Sequence, residues 1–154
     1  MTDSQRINCL AVEGSEPSKN AFNWYLKNYH QDGDLLIIIH VYQMATLDTT
    51  KNNYSQIVDK IESSVKLSNS IVNYYTEICK EKNIKYKAVI ESNNPTTVAG
   101  KVICESVKRN LGNVIILGQR GLNKIKRYSV GSTSDYVLHQ SDVPVVVVPC
   151  DKAY

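Results

Sequence analysis

The sequence predicts an α/β domain of three layers, an open parallel five-stranded sheet covered by helices on both faces. Three observations carry that expectation. Short apolar runs recur along the chain, each too continuous to leave one face of a strand in water. Between them lie segments whose apolar residues fall at helical spacing. A chain of 154 residues suits one domain with a substantial core, so residues 1–154 are read as a single unit without repeat, linker or low-complexity tract.

Each element has its own signal. Ile7–Val12 is a buried strand ending at Glu13-Gly14-Ser15. Ser15 is placed to cap the helix that follows, Pro17 suits its first turn, and Ala21, Phe22, Tyr25, Leu26 and Tyr29 form its apolar face. After a turn at Gly33-Asp34, Leu35–Val41 is the second strand, and residues 42–52, lacking a period, read as loop. Helical spacing then runs from Tyr54 to about Lys82 through Ile57, Ile61, Val65, Val72 and Cys79. Ile84–Ile90 is the third strand. Asn94-Pro95 with Thr96 and Thr97 opens a helix through Val98, Val102, Ile103 and Val107, which Gly112 stops. Val114–Leu117 is the fourth strand, Ser132–Gln140 a helix and Val143–Val148 the fifth strand.

Right-handed crossovers and one change of winding direction give the strand order 3-2-1-4-5. Ligands in such sheets bind beyond the carboxyl ends of the strands, where the order reverses. That point lies between strands one and four, whose exit loops are Glu13-Gly14-Ser15 and Gly118-Gln119-Arg120-Gly121. Glycines there allow backbone N–H groups to approach an anion. Gly131-Ser132-Thr133 offers amides and hydroxyls at a helix start, an ordinary phosphate site. Local sequence leaves plainer readings open. Gly118 and Gly121 could simply make a turn, Ser132-x-x-Asp135 could be a capping box, and Glu13 could be an exposed loop carboxylate. Lys124, Lys126 and Arg127 read as solvated, and Arg120 is the basic residue best placed to meet phosphate.

The spacing G-x2-G-x9-G-S, carried by Gly118, Gly121, Gly131 and Ser132, resembles the nucleotide signature of the universal stress protein family, ATP-binding type. Val12-Glu13-Gly14-Ser15 is similar to the family's V-D-G-S, and the closing SDVPVVVVP is similar too. The resemblance covers essentially the whole chain, although Tyr42 to Asn83 matches only in pattern. It implies a Rossmann-like fold of the adenine nucleotide α-hydrolase-like kind and a site for ATP or AMP. Ala11, Val12, Glu13 and Val41 would hold ribose and adenine. Leu117, Gly118, Arg120, Gly121, Gly131, Ser132 and Thr133 would hold phosphates and ribose. Mg2+ or Mn2+ would be held by the nucleotide's phosphates and not by protein side chains. Glu13 departs from the family's aspartate, and its extra methylene moves the carboxylate by roughly a bond length, which bears on affinity and nucleotide preference.

Other chemistry is poorly supported. The net charge of +3 is too mild to argue for nucleic acid or a membrane surface. The opening MTDSQRINCLAVEG does not read as a signal peptide, and the longest apolar run, Leu35–Ile39, is far short of a membrane span. The cysteines, Cys9, Cys79, Cys104 and Cys150, show no ligand spacing and read as buried reduced thiols of a cytoplasmic protein. His30, His40 and His139 are too scattered for a metal site; Asp135 and His139 read as a local helix pair. The P-loop and the G-x-G-x-x-G fingerprint are absent, and the glycine loop contains no general base for fast hydrolysis.

Three functions therefore stand. One is a nucleotide-linked regulatory or protective module, at most a slow ATPase. Another is a nucleotide-free dimeric interaction scaffold of the same fold. The third is an adenylating enzyme, although neither S-G-G-x-D-S nor H-x-G-H is present. Strand five, an edge bearing Val145–Val148 without charge, is expected to be covered in a homodimer.

Overall fold

Successive side chains of a strand point to opposite faces, so a run apolar at every position needs cover on both sides. The structure, a computed structural model, describes residues 5–44, 50, 53–119 and 131–150. Its elements are β1 (Ile7–Val12), α1 (Glu16–Asn28), β2 (Leu35–Gln43), α2 (Tyr54–Glu81), β3 (Tyr86–Asn93), α3 (Ala99–Arg109), β4 (Val114–Gly118), α4 (Ser132–Gln140) and β5 (Val145–Val148). The five strands form one sheet in the order β3-β2-β1-β4-β5, every pair parallel. This is the architecture the sequence predicts.

Alternation divides the core in two. Leu10, Val12, Leu36, Ile38 and Ile116 meet Phe22 and Tyr25 of α1 and Tyr75 and Cys79 of α2. Cys9, Ile37, Ile39, Ile115 and Leu117 meet Ile103 and Val107 of α3 and Val137 of α4. Each fully buried isoleucine or leucine contributes roughly 1.5–3 kcal/mol.

Several boundaries differ from expectation, each for a local reason. β3 begins at Tyr86 and not at Ile84, because Asn83 and Ile84 close α2. Asn83 takes φ 54°, its amide donates to Lys80 at 3.1 Å, and the Ile84 amide donates to Cys79 at 2.8 Å. That is the left-handed helix termination, with Asn where Gly is commoner and the apolar Ile84 turned into the core. α3 closes the same way, but its left-handed residue is Leu111 at φ 56°. Gly112 is required for another reason: a β-carbon there would lie 2.5 Å from Cys9 Sγ. α3 starts only at Ala99, since the Thr97 amide bonds to the Asn94 carbonyl at 2.9 Å and forms a separate turn. β2 runs on to Gln43 through its register with Asn93. β5 starts at Val145, because the Ser141 hydroxyl holds Val143 by its amide and carbonyl. The four cysteines are unpaired as expected, but Cys104 and Cys150 are only half-buried. Burial pushes the Cys9 thiol up to about 12.

At the amino edge of the sheet, below β1 and β2, a polar group is fully enclosed. Asp34 is 4% exposed and accepts from Arg6 Nε at 2.8 Å, Arg6 Nη2 at 2.6 Å, Asn8 Nδ2 at 2.8 Å and the Gln31 amide at 2.9 Å. Arg6 also donates to the Tyr29 carbonyl and lies over the Tyr29 ring. Burial alone would raise the Asp34 pKa; the Arg6 and Gln31 hydrogen bonds outweigh it and hold the carboxyl below its ordinary range.

Candidate functional site at the carboxyl edge

The strand order reverses between β1 and β4, and the crevice beyond their carboxyl ends is a cavity of about 250 Å³. This is just under the range of about 300–1,000 Å³ usual for small-molecule sites. Its floor is apolar: Ala11 and Val12 of β1, Ile39 and Val41 of β2, Leu117 of β4 and Ile103 of α3. Its rim is Glu13, Ser18, Ala99, Gly118, Gly131, Ser132, Thr133 and Ser134.

Three helices begin at this rim. A helix start leaves backbone N–H groups without intrahelical partners and carries the positive end of the helix dipole. Such groups are ordinarily satisfied by a capping side chain, worth about 0.5–2 kcal/mol. Among the described residues, no N-cap side chain caps α1, α3 or α4. The expected cap at Ser15 is not made: Ser15 holds the N-cap position, but its hydroxyl donates to Glu13 Oε1 at 2.8 Å. The capping box at Ser132-x-x-Asp135 is not formed either. Gly131 is the N-cap, at φ 81°, and Ser132 lies inside the helix. Val98, which has no polar group to offer, precedes α3. By contrast α2, which does not reach the crevice, has a complete capping box between Asn53 and Gln56.

Two glycines bring these helix starts close. Gly118 lies against the start of α1, where a β-carbon would fall 2.5 Å from the Pro17 carbonyl carbon. Gly100 lies against the start of α4, with a β-carbon position 2.9 Å from the Thr133 carbonyl oxygen. The demand for glycine at 118 thus comes from protein backbone.

Glu13 is the one ionisable side chain among the described lining residues. The crevice therefore offers a carboxylate beside β1, amide donors at three helix starts and an apolar floor between elements. Such a lining accepts hydrogen bonds from one part of a ligand and donates to an anionic part. Ala11, Val12, Glu13, Val41, Leu117, Gly118, Gly131, Ser132 and Thr133, predicted from sequence, all line it. Arg120 and Gly121 lie outside the described residues. Ser18, Ile39, Ala99, Ile103 and Ser134 were not expected. Ser18 and Ser134 could have been found as the third residues of helices that start at the switch point. Nothing in the sequence separates Ile39 or Ile103 from ordinary core.

None of the three histidines lines the crevice. His40 is buried, its Nδ1 2.9 Å from the Val12 carbonyl oxygen. His30 lies 3.0 Å from the Tyr25 hydroxyl, and His139 Nδ1 lies 2.8 Å from the Asp135 carbonyl oxygen. Among the described residues no cluster of His, Cys, Asp or Glu could hold a metal, and no helix is long and apolar enough to cross a membrane.

Comparison with known proteins agrees with this geometry. The profile of the Universal stress protein family matches residues 6–149. A universal stress protein homologue of Staphylococcus saprophyticus is 26% identical over 140 residues, covering 90% of this chain and 80% of its own length. Among solved structures, a universal stress protein family protein from Arabidopsis thaliana with AMP bound superposes with TM-score 0.68 at 20% identity, covering 94% of this chain and 91% of that one. A universal stress protein in complex with cAMP superposes with TM-score 0.60 at 17% identity, covering 93% of this chain and 96% of that one. At these identities the structural likeness is one of fold, and the profile match over nearly the whole chain carries the assignment: this chain belongs to the universal stress protein family.

Proposed function

We propose that the crevice binds an adenine nucleotide, ATP or AMP, and that the protein is a nucleotide-linked regulatory or protective module of the stress response. The observation that carries this reading is the set of three uncapped helix starts around one small cavity beside a carboxylate. Phosphate would accept from the amides of the α4 start, at Ser132 and Thr133, with Gly118 and Gly131 nearby and Arg120 and Gly121 supplied by the loop. Base and ribose would lie on Ala11, Val12 and Val41, with Glu13 accepting from ribose hydroxyls or the adenine amine. Binding of AMP and cAMP by proteins of the same fold supports the choice of nucleotide. Any Mg2+ or Mn2+ would ride on the phosphates.

No described lining residue other than Glu13 could take a proton from water, and its carboxylate already accepts from Ser15. Hydrolysis on this reading is slow at most, and the bound nucleotide acts as a state marker. β5 has Val145, Val146 and Val147 incompletely covered at the sheet edge, which supports a homodimer paired through this strand.

Small molecules released when purified protein is denatured, together with calorimetric titration of ATP, AMP and cAMP, test the site. Release or binding of an adenine nucleotide is expected. Failure of all three to bind would leave the nucleotide-free interaction scaffold as the surviving reading. Sedimentation at micromolar concentration should give a dimer, and a monomer would refute the β5 pairing.

A further inference from the structure

The loop that follows β1 is gripped by two hydroxyls. The Glu13 amide donates to Ser18 Oγ at 2.9 Å, and the Tyr75 hydroxyl donates to the Glu13 carbonyl oxygen at 2.9 Å. Both groups are enclosed, Ser18 at 5% and Tyr75 at 1% exposed. Tyr75 comes from α2, 62 residues along the chain, and does not itself line the crevice. Its ring stands edge-on to Phe22, centroids 5.3 Å apart, inside the core beneath α1. One turn earlier on α2, Ile71 lies against the same loop: a β-carbon on Gly14 would be 3.3 Å from Ile71 Cγ1.

We propose that Tyr75 is a positioning residue for the crevice, which with Ser18 fixes the backbone of Glu13 and so aims its carboxylate at the base and sugar of a bound nucleotide. This rests on the nucleotide reading above and deepens it. A strand-exit loop beside a glycine would otherwise sample several orientations. Holding both polar groups of one residue removes that freedom before any ligand arrives. Ser15 completes the arrangement by donating to the carboxylate itself. Burial pushes the Tyr75 phenol well up, so it remains a protonated donor throughout the physiological range. The consequence is a division of labour. α4 and its glycines serve the anionic end, and α2, through one phenol, serves the other end.

Tyr75→Phe tests this, because it removes the hydroxyl and retains the ring. Calorimetric titration with adenosine and with AMP should show both weakened by about tenfold, the loss of one hydrogen bond's positioning. The ratio of the two affinities should stay at the parental value, and the melting temperature close to it. A change in that ratio would mean that the phosphate end is disturbed and would overturn the assignment. Unchanged affinity for both would overturn it as well. Amide exchange in the ligand-free protein judges the clamp separately: Glu13 should exchange faster in Tyr75→Phe, and unaltered exchange would sink the proposal. If the parent binds neither ligand, the nucleotide reading fails, and the exchange result still decides whether Tyr75 holds the loop.

Discussion

At the amino edge of the sheet, Asp34 accepts from Arg6, Asn8 and the Gln31 amide, and the neighbouring side chains close over it. At the carboxyl edge, three helices start around a cavity without a cap from their N-cap side chains. Both edges contain polar groups that burial would penalise. The Asp34 carboxylate is satisfied from within the chain, although Asn8 Oδ1 beside it has no partner among the described residues, and the helix starts face outward with their donors in hand. The difference is not one of composition, since Ser15, Ser132 and Asp135 are capable caps. It lies in where those side chains turn: Ser15 toward Glu13, and Ser132 one position too late to cap. A satisfied carboxylate contributes stability. An unsatisfied edge gives some up and gains a place for an anion.

The largest effect expected from this contrast is at Asp34. Asp34→Ala would leave Asn8 and the Arg6 head group without their shared acceptor and should lower stability by about 3 kcal/mol, measured by urea denaturation. The pH dependence has a definite sign. The Asp34 pKa is lowered on folding, so its contribution is complete above the ordinary value of 3.8 and is lost as pH falls through the lower folded value. Parent stability should fall more steeply than that of Asp34→Ala in acid, and parallel curves would show that the network is not held by charge.

Gly118→Ala comes next and would blur the two edges. Its β-carbon meets the Pro17 backbone, which cannot rotate away, so roughly 1–3 kcal/mol of stability and AMP affinity should be lost together. Retention of full stability would mean that the start of α1 can shift. Glu13→Ala should separate what Gly118→Ala combines. AMP binding should weaken by about 1–3 kcal/mol with little change in the denaturation midpoint, while Glu13→Asp should keep or improve binding. Equal affinity in Glu13→Ala would remove the carboxylate from the site.

How much of this could be read in advance depended on whether the signal was local or came from packing. The apolar runs and their alternation predicted all five strands and their order, because burial on both faces is written into every residue of a run. The crevice lining at Glu13, Val41, Gly118 and Ser132 was also legible, since topology fixes which strand ends meet. Gly112, by contrast, reads as the stop of α3, but Leu111 takes the left-handed position there, and Gly112 is needed against Cys9 from a distant strand. Ser18 and Ile103 reach the crevice through helix packing, with Gly100 admitting the α4 backbone. No spacing in the sequence measures those approaches. The glycine at 118 was expected for an anion's sake and is demanded by Pro17.

The smallest effect is also the sharpest test of the contrast, and it concerns Ser132. At the first position of α4, a carboxylate would sit beside amides that now have no side-chain cap. Ser132→Asp should therefore stabilise the helix start through its dipole by about 0.3–1 kcal/mol, visible as a small rise in the denaturation midpoint. The same charge would stand where phosphate is proposed to bind and should repel it, so AMP affinity should fall while adenosine affinity changes little. Stability and binding then move in opposite directions under one substitution, as expected if helix-start donors are reserved for an anion. Should both rise or both fall, the uncapped starts would be no more than a feature of the packing at that edge. Ser132→Asn, which can hydrogen-bond but carries no charge, separates the two terms: it should leave AMP binding closer to the parent than Ser132→Asp does. Equal loss in both variants would assign the effect to size, not charge.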